Sequence, residues 1–271
     1  MIQSFTDRVR LPPDSGYDYT TKSSLECNEK LSRLLILVII AVILSGCGTG
    51  SINKKIEKAV MPKLPELIGP AEQYTVKADC SISGLLDHRV DTIKIKGINV
   101  LVGGKYPVDT LDIYMSDVKI NPDTQAVKGI KAVQIEAVLS EGRLLDFLQR
   151  QHPAWNINSL HIGNNTATIV GHPEYLGISA KIEAIGKLKI SGPARVDFIP
   201  DRVKMGGIPA PDLLVQQALK LLNPVLSLEE WKIPIQLTGV ELLSGKVTLN
   251  ATGNLENGLP DGLINAVGHK K

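Results

Sequence analysis

The sequence predicts an α+β fold in which a strongly curved antiparallel sheet is wrapped around a helix. Three observations carry this expectation. From Gln73 to about Gly253, apolar residues recur at every second position in short runs, the period of half-buried strands. Turn residues such as Gly103-Gly104 and Asn121-Pro122-Asp123 separate the runs closely enough for antiparallel neighbours. Finally, PAPDLLVQQALKLLNP, Pro209 to Pro224, reads as a proline-bracketed helix with one narrow polar stripe of Asp212, Gln216, Lys220 and Asn223, and Gln217 beside it. The rest of that helix is Leu, Val or Ala, so most of its circumference needs cover. A curved sheet would supply it, as would a second layer of helices, but the sequence offers few other helices.

Taken in order, the chain of 271 residues begins with a long polar leader, Met1 to Glu29. An unbroken aliphatic run follows from Leu34 to Leu44, preceded by Lys30 and Arg33 and followed by small residues. A basic stretch, an apolar stretch and a small-residue region are the parts of a secretory signal. As a helix the run reaches only about half of a ~30 Å hydrocarbon core, which disfavours a membrane-spanning helix. Leu44, Ser45 and Gly46, directly before Cys47, resemble the bacterial lipobox. That resemblance implies that Cys47 becomes the acylated first residue of the mature chain. Two acyl chains at about 0.8 kcal/mol per buried methylene anchor a protein stably where one is marginal. Residues 1–46 are therefore read as a signal peptide, its unusual length explained by a start codon placed too far upstream.

Residues 47–51 form a lipidated tether. After it Ile52, Ile56, Ala59 and Val60 recur at helical spacing, with Ser51 as N-cap and Lys54, Lys55 and Lys58 on the other face. That basic face suits anionic headgroups and equally suits plain solvent. Pro62, Pro65 and Pro70 end the pattern. With Cys27 in the leader and Cys47 acylated, Cys80 is left alone in the mature chain. It lies on the apolar side of the alternation Tyr74, Val76, Ala78, Cys80, Ile82, so burial is expected.

Further strands are expected around Ile93, Ile95, Ile98 and Val100, around Leu111, Ile113 and Met115, at Val118 and Ile120, and around Val133, Ile135 and Ala137. A helix is expected from Ser140 to His152-Pro153 with Leu144, Leu145 and Leu148 on one face. LHIGNNTATIVG (Leu160 to Gly171) and ELLSGKVTLNATG (Glu241 to Gly253) read as two similar hairpins, with more strands over Ile178 to Ile190 and Arg195 to Met205. Residues 52–254 form one domain and 255–271 a C-terminal tail.

Composition narrows the function. Lys and Arg number 30 against 28 for Asp and Glu, and 4% of residues are aromatic, so neither a strong field nor a stacking platform is available for nucleic acid. Among His88, His152, His161, His172 and His269 no pair stands at i, i+3 or i+4, and no P-loop, dinucleotide fingerprint or G-x-S-x-G elbow occurs. Ser51-x-x-Lys54 matches a Ser-Lys pattern on the tether helix, a pattern common by chance. No catalytic residue, metal or cofactor is assigned.

The strands and Gly turns, with ISGPARVDFIPDRVKMGGIPAPDLLVQQALKLLNP and IPIQLTGVELLSGKVTLNATG, resemble the LmeA-like phospholipid-binding family over Ile52 to Gly253. The resemblance implies a tubular lipid-binding-like fold, a secreted or membrane-anchored protein of the cell envelope, and phospholipid as ligand. The expected groove-lining residues are Val76, Ile93, Ile95, Val100, Leu111 and Ile113 on strands and Leu214, Ala218 and Leu221 on the proline-bracketed helix. Two other classes stay open: a lipoprotein that docks a protein partner, and an envelope hydrolase.

Overall fold

The computed structural model describes residues 49–121, 127–175, 178–229 and 235–256. The chain enters through helix α1, Thr49–Val60, followed by a 3₁₀ turn, Met61–Lys63, and a short α2, Leu64–Leu67; a further short helix, α3, Ile82–Leu86, joins the first two strands. Pro62 and Pro65 each stand in the first positions of a new turn, where the missing N–H costs nothing. Ser51 lies inside α1 and is not its cap, because the helix starts earlier, at Thr49. Ile56 is buried, Ile52, Ala59 and Val60 are half-buried, and Lys54 and Lys58 face out, as the spacing requires.

Six strands make the first sheet: β1 (Gln73–Asp79), β2 (Arg89–Val102), β3 (Tyr106–Ile120), β4 (Val127–Ser140), β13 (Ile235–Leu243) and β14 (Lys246–Gly253). Their order is β1-β2-β3-β4-β14-β13, with every neighbour antiparallel. Between β4 and β13 the chain builds a second sheet from β5 (Ile157–Ile162), β6 (Ala167–Gly171), β9 (Ile182–Gly192), β10 (Arg195–Met205) and β11 (Ile208–Pro209), ordered β11-β10-β9-β6-β5; β12 (Leu226–Ser227) also pairs with β10. A small pair, β7 (Glu174–Tyr175) with β8 (Ile178–Ser179), stands apart. The expected α+β fold with a curved antiparallel sheet is found: one sheet is strongly curled into a half barrel.

Both similar hairpins form, and in different sheets: β5 pairs β6, and β13 pairs β14 through Gly245 at φ 76°. Their turns abut. Gly245 N–H donates to the Ile162 carbonyl at 2.8 Å and Asn165 N–H to that of Leu242 at 2.9 Å.

Strand alternation is interrupted where two non-glycine residues adopt left-handed backbone, Asn99 (φ 51°) in β2 and Asp117 (φ 50°) in β3. Buried positions on β2 accordingly change from Ile93 and Ile95 to Val100 and Val102 across Asn99. Polar side chains brace both kinks. Arg143 Nε donates to Asp109 at 2.8 Å and Arg143 Nη2 to Asn99 Oδ1 at 2.5 Å; at the other kink Arg89 bridges Asp91 and Asp117.

Two aliphatic clusters cover one face of the first sheet. Near α1 and α2, Ile56 and Leu64 pack on Val76, Ala78, Cys80, Ile93, Ile95 and Val133. Toward the second sheet, Val100, Leu111, Leu139 and Val247 meet Ile162, Val196 and Phe198, with Leu144, Phe147 and Leu148 of α4 (Glu141–Gln151). Ile68, Tyr74, Ile113 and Ile135 touch both clusters, so the apolar body is continuous.

The proline-bracketed helix forms as α5, Asp212–Leu222, but the sheet does not enclose it. Within it only Leu222 is buried; Leu213 and Leu221 are 67% and 52% exposed, which overturns the expected burial of Leu221. Its C-terminal end is pinned. Asn223 exchanges two hydrogen bonds with the Phe198 backbone, at 2.8 and 3.0 Å, and Leu222, Val225 and Leu226 enter the core. Half-buried Leu214, Val215, Ala218 and Leu219 form the helix's inner side, which leaves the outer part of its apolar band without cover among the described residues.

Candidate functional site

The register of the first sheet sorts its side chains into rows that run across all six strands. One row is Val76, Ile95, Ile113, Ile135, Ala251 and Leu237. Because successive residues point to opposite faces, the rows on either side of it lie on the other face. They read Lys77, Lys94, Tyr114, Gln134, Thr252 and Gln236, and Thr75, Lys96, Asp112, Glu136, Asn250 and Gly239. The sheet is thus aliphatic on one side and polar on the other.

On the aliphatic side, the strand residues expected to line a groove divide between the clusters. Val76, Ile93 and Ile95 are buried toward α1 and α2, Val100 and Leu111 toward the second sheet, and Ile113 lies where the clusters join. At that junction cover is thinner: Ile113, Met115, Ile135 and Ala137 are half-buried, as are Val240 and Leu249 farther along. Leu214, Ala218 and Leu221 lie away from this strip, on α5 against β10. An apolar cavity of about 20 Å³ between Tyr106, Leu139, Phe147, Leu188, Val196 and Leu226 marks the seam between the sheets.

On the polar side lies a hollow of about 550 Å³ that touches every strand of the first sheet. Its size falls within the ~300–1,000 Å³ of small-molecule sites. Lys77, Lys94 and Lys96 gather at the β1–β2 end, Asp112 and Glu136 at β3–β4, and Asn250, Thr252 and Thr238 beyond them. Lys94 Nζ sits 5.6 Å from the Tyr114 ring centroid, and Lys96 Nζ lies 3.8 Å from Asp112 Oδ2. The sequence reading missed this cluster. Alternation places each lysine opposite an aliphatic face, but only strand pairing brings residues 77, 94 and 96 together.

Among the described residues no group of His, Cys, Asp and Glu is arranged to hold a metal ion, and no helix is long and apolar enough to cross a membrane. Cys80 is buried as expected, its thiol donating to the Arg89 carbonyl at 3.2 Å. Burial, aided by Asp91 and Asp79, pushes that thiol up to about 11, away from the thiolate a nucleophile needs. Leu44, Ser45, Gly46 and Cys47 lie outside the described residues.

Architecture and surface together define an α+β protein of antiparallel sheets with a continuous aliphatic body and, on the opposite face, a hollow rimmed by polar side chains. The chain belongs to the LmeA-like phospholipid-binding family, whose sequence model matches residues 52–252, both sheets included. That family is a lipid-binding one and not an enzyme family. No curated protein and no solved structure matches the chain.

Proposed function

We propose that this protein is a membrane-anchored lipoprotein of the cell envelope that binds and shuttles phospholipid, with acyl chains lying along the aliphatic strip of the first sheet. The observation that carries the reading is the strip itself. The apolar body is continuous from α1 to the second sheet, yet Ile113 and Ile135 at its centre are only half covered, in a chain whose family binds phospholipid. Strand β3, which carries Ile113 and Met115, has 15 residues and extends about 50 Å at ~3.3 Å per residue, ample for one acyl chain laid lengthwise. Burying ten methylenes gives on the order of 8 kcal/mol before ordering costs, so tails alone can hold a lipid. The lipobox-like Leu44-Ser45-Gly46 before Cys47 supports the anchor.

Lipid extraction from the purified full chain, together with transfer of fluorescent phospholipid between vesicles, tests the reading. Phospholipid should co-purify. Ile135→Trp, at a half-buried position that tolerates added volume, should slow transfer about tenfold, the equivalent of losing roughly two methylenes of contact. Ile95→Trp is less informative, because Ile95 is 5% exposed and overpacking there threatens the fold. No co-purifying lipid and no transfer would favour the lipoprotein that docks a protein partner.

A further inference from the structure

Around the hollow, charge is sorted by strand. Lys77 on β1 stands directly opposite Lys94 on β2, and Asp112 on β3 directly opposite Glu136 on β4. Like charges directly opposite one another on neighbouring strands are destabilising, and interleaving the signs would relieve both pairs. Lys96 compensates Asp112 in part, but among the described residues neither Lys77 nor Glu136 has an ion pair. The arrangement surrounds the 550 Å³ hollow, so an unfavourable surface coincides with space for a ligand.

We infer that this hollow binds a phosphate ester, with Lys77 and Lys94 taking the phosphate and Glu136 accepting hydrogen bonds from the hydroxyl or ammonium group attached to it. A phosphate between two ammonium groups converts their repulsion into two charge-assisted hydrogen bonds. The Tyr114 ring beside Lys94 Nζ favours an ammonium held over the sheet. Strands lie about 4.8 Å apart, so β2 and β4 are separated by about 10 Å, a span that long side chains close around a small phosphate ester. Gln134 and Asn250, adjoining Glu136, add amide groups that hydrogen-bond either donors or acceptors. The charged side chains of the hollow stand on the face opposite the aliphatic strip, although Ile95, Ile113, Ile135 and Ala251 also contribute to its lining. A headgroup held here therefore belongs to a lipid whose own chains do not lie along that strip, and the site is tested separately from the proposed function.

The ligand is either a soluble ester or the headgroup of a lipid, and two assays on the full chain in detergent or in vesicles separate them. Phosphoethanolamine and phosphocholine are titrated in solution; transfer of phosphatidylethanolamine and phosphatidylcholine is measured from vesicles of each. Phosphoethanolamine should bind more tightly than phosphocholine, whose quaternary ammonium has no N–H to donate. Lys77→Gln with Lys94→Gln should weaken both at least tenfold, and Glu136→Gln should abolish the preference while leaving phosphate binding. All three residues are exposed, so these variants keep the fold; Lys187→Gln on the second sheet is the charge control. An effect confined to the soluble esters assigns a free phosphate ester, and the same preference in vesicle transfer assigns a headgroup. The inference is overturned if no ester binds, or if the double variant matches Lys187→Gln in both assays.

Discussion

At Cys80, burial decides both reactivity and pH behaviour. Its thiol rises from an ordinary 9.0 to about 11, and desolvation likewise lifts the Tyr74 hydroxyl from 10.0 to about 12. In both groups the fold favours the neutral form. Their contribution is therefore complete below pH 9 and is lost between 9 and about 11 for Cys80, and between 10 and about 12 for Tyr74. Cys80→Ala should flatten the fall in stability between pH 9 and 11 in alkaline denaturation curves. With Cys27 and Cys47 replaced by Ser, Cys80 should resist a thiol reagent until denaturant is added. His152 behaves in the opposite direction: burial lowers its pKa below 6.5, so the unfolded chain protonates first and stability declines as pH falls below that value. His152→Gln should remove that acid slope. Burial of Cys80 was legible from the alternation of Val76, Ala78 and Cys80, but the pattern does not run on: β1 ends at Asp79, and Ile82, expected on the same side, begins a short helix and is 70% exposed. The paired lysines were not legible, because they lie 17 residues apart in sequence (77 to 94) and meet only through the β1–β2 register.

Elements were read well where local chemistry sets them. The helix after Ser140 runs Glu141–Gln151 with Leu144 and Leu148 buried as expected, although Ser140 makes no side-chain cap bond. Its own N–H is bound by Asp109. The kinks at Asn99 and Asp117 left a trace in the sequence, where the apolar phase changes from Ile95 to Val100 and from Met115 to Val118 with Asn or Asp at the break, but their bracing by distant Arg143 and Arg89 did not. Asn99→Val should cost about 1–2 kcal/mol from backbone strain alone, read by urea denaturation, because a branched side chain tolerates positive φ poorly where Asn does not. The helix α5 misled for another reason: composition says how much of a helix is apolar, not how much is covered. Leu221→Asp should leave stability within about 0.5 kcal/mol, as surface substitutions do. Leu222→Ala, one residue on, should cost about 2–5 kcal/mol.

At the scale of the whole molecule, antiparallel sheets followed from the alternation; the curved sheet was expected as cover for the proline-bracketed helix, and it is found although that helix is not the element it covers, whereas the division into two sheets was not foreseen. Two similar hairpins in sequence look like repeats of one sheet; in space they belong to different sheets and touch at their turns. If Cys47 is the anchor, Cys47→Ser should move the protein from the membrane fraction to the soluble one, or leave it unprocessed. The order β4-β14-β13 has a kinetic consequence. Strands β1 to β4 are neighbours in both sequence and space, but Ser140 pairs with Lys246 only after the entire second sheet has been threaded between them. Closing a loop of about a hundred residues is slower and entropically dearer than closing a hairpin. The first four strands should therefore gather early, with the open edge of β4 waiting as a sticky template until β14 arrives. In pulse-labelled hydrogen exchange during refolding, amides of β2 and β3 should become protected before those of β14. Chains interrupted at that stage, or synthesised without their last strands, should be the ones that aggregate.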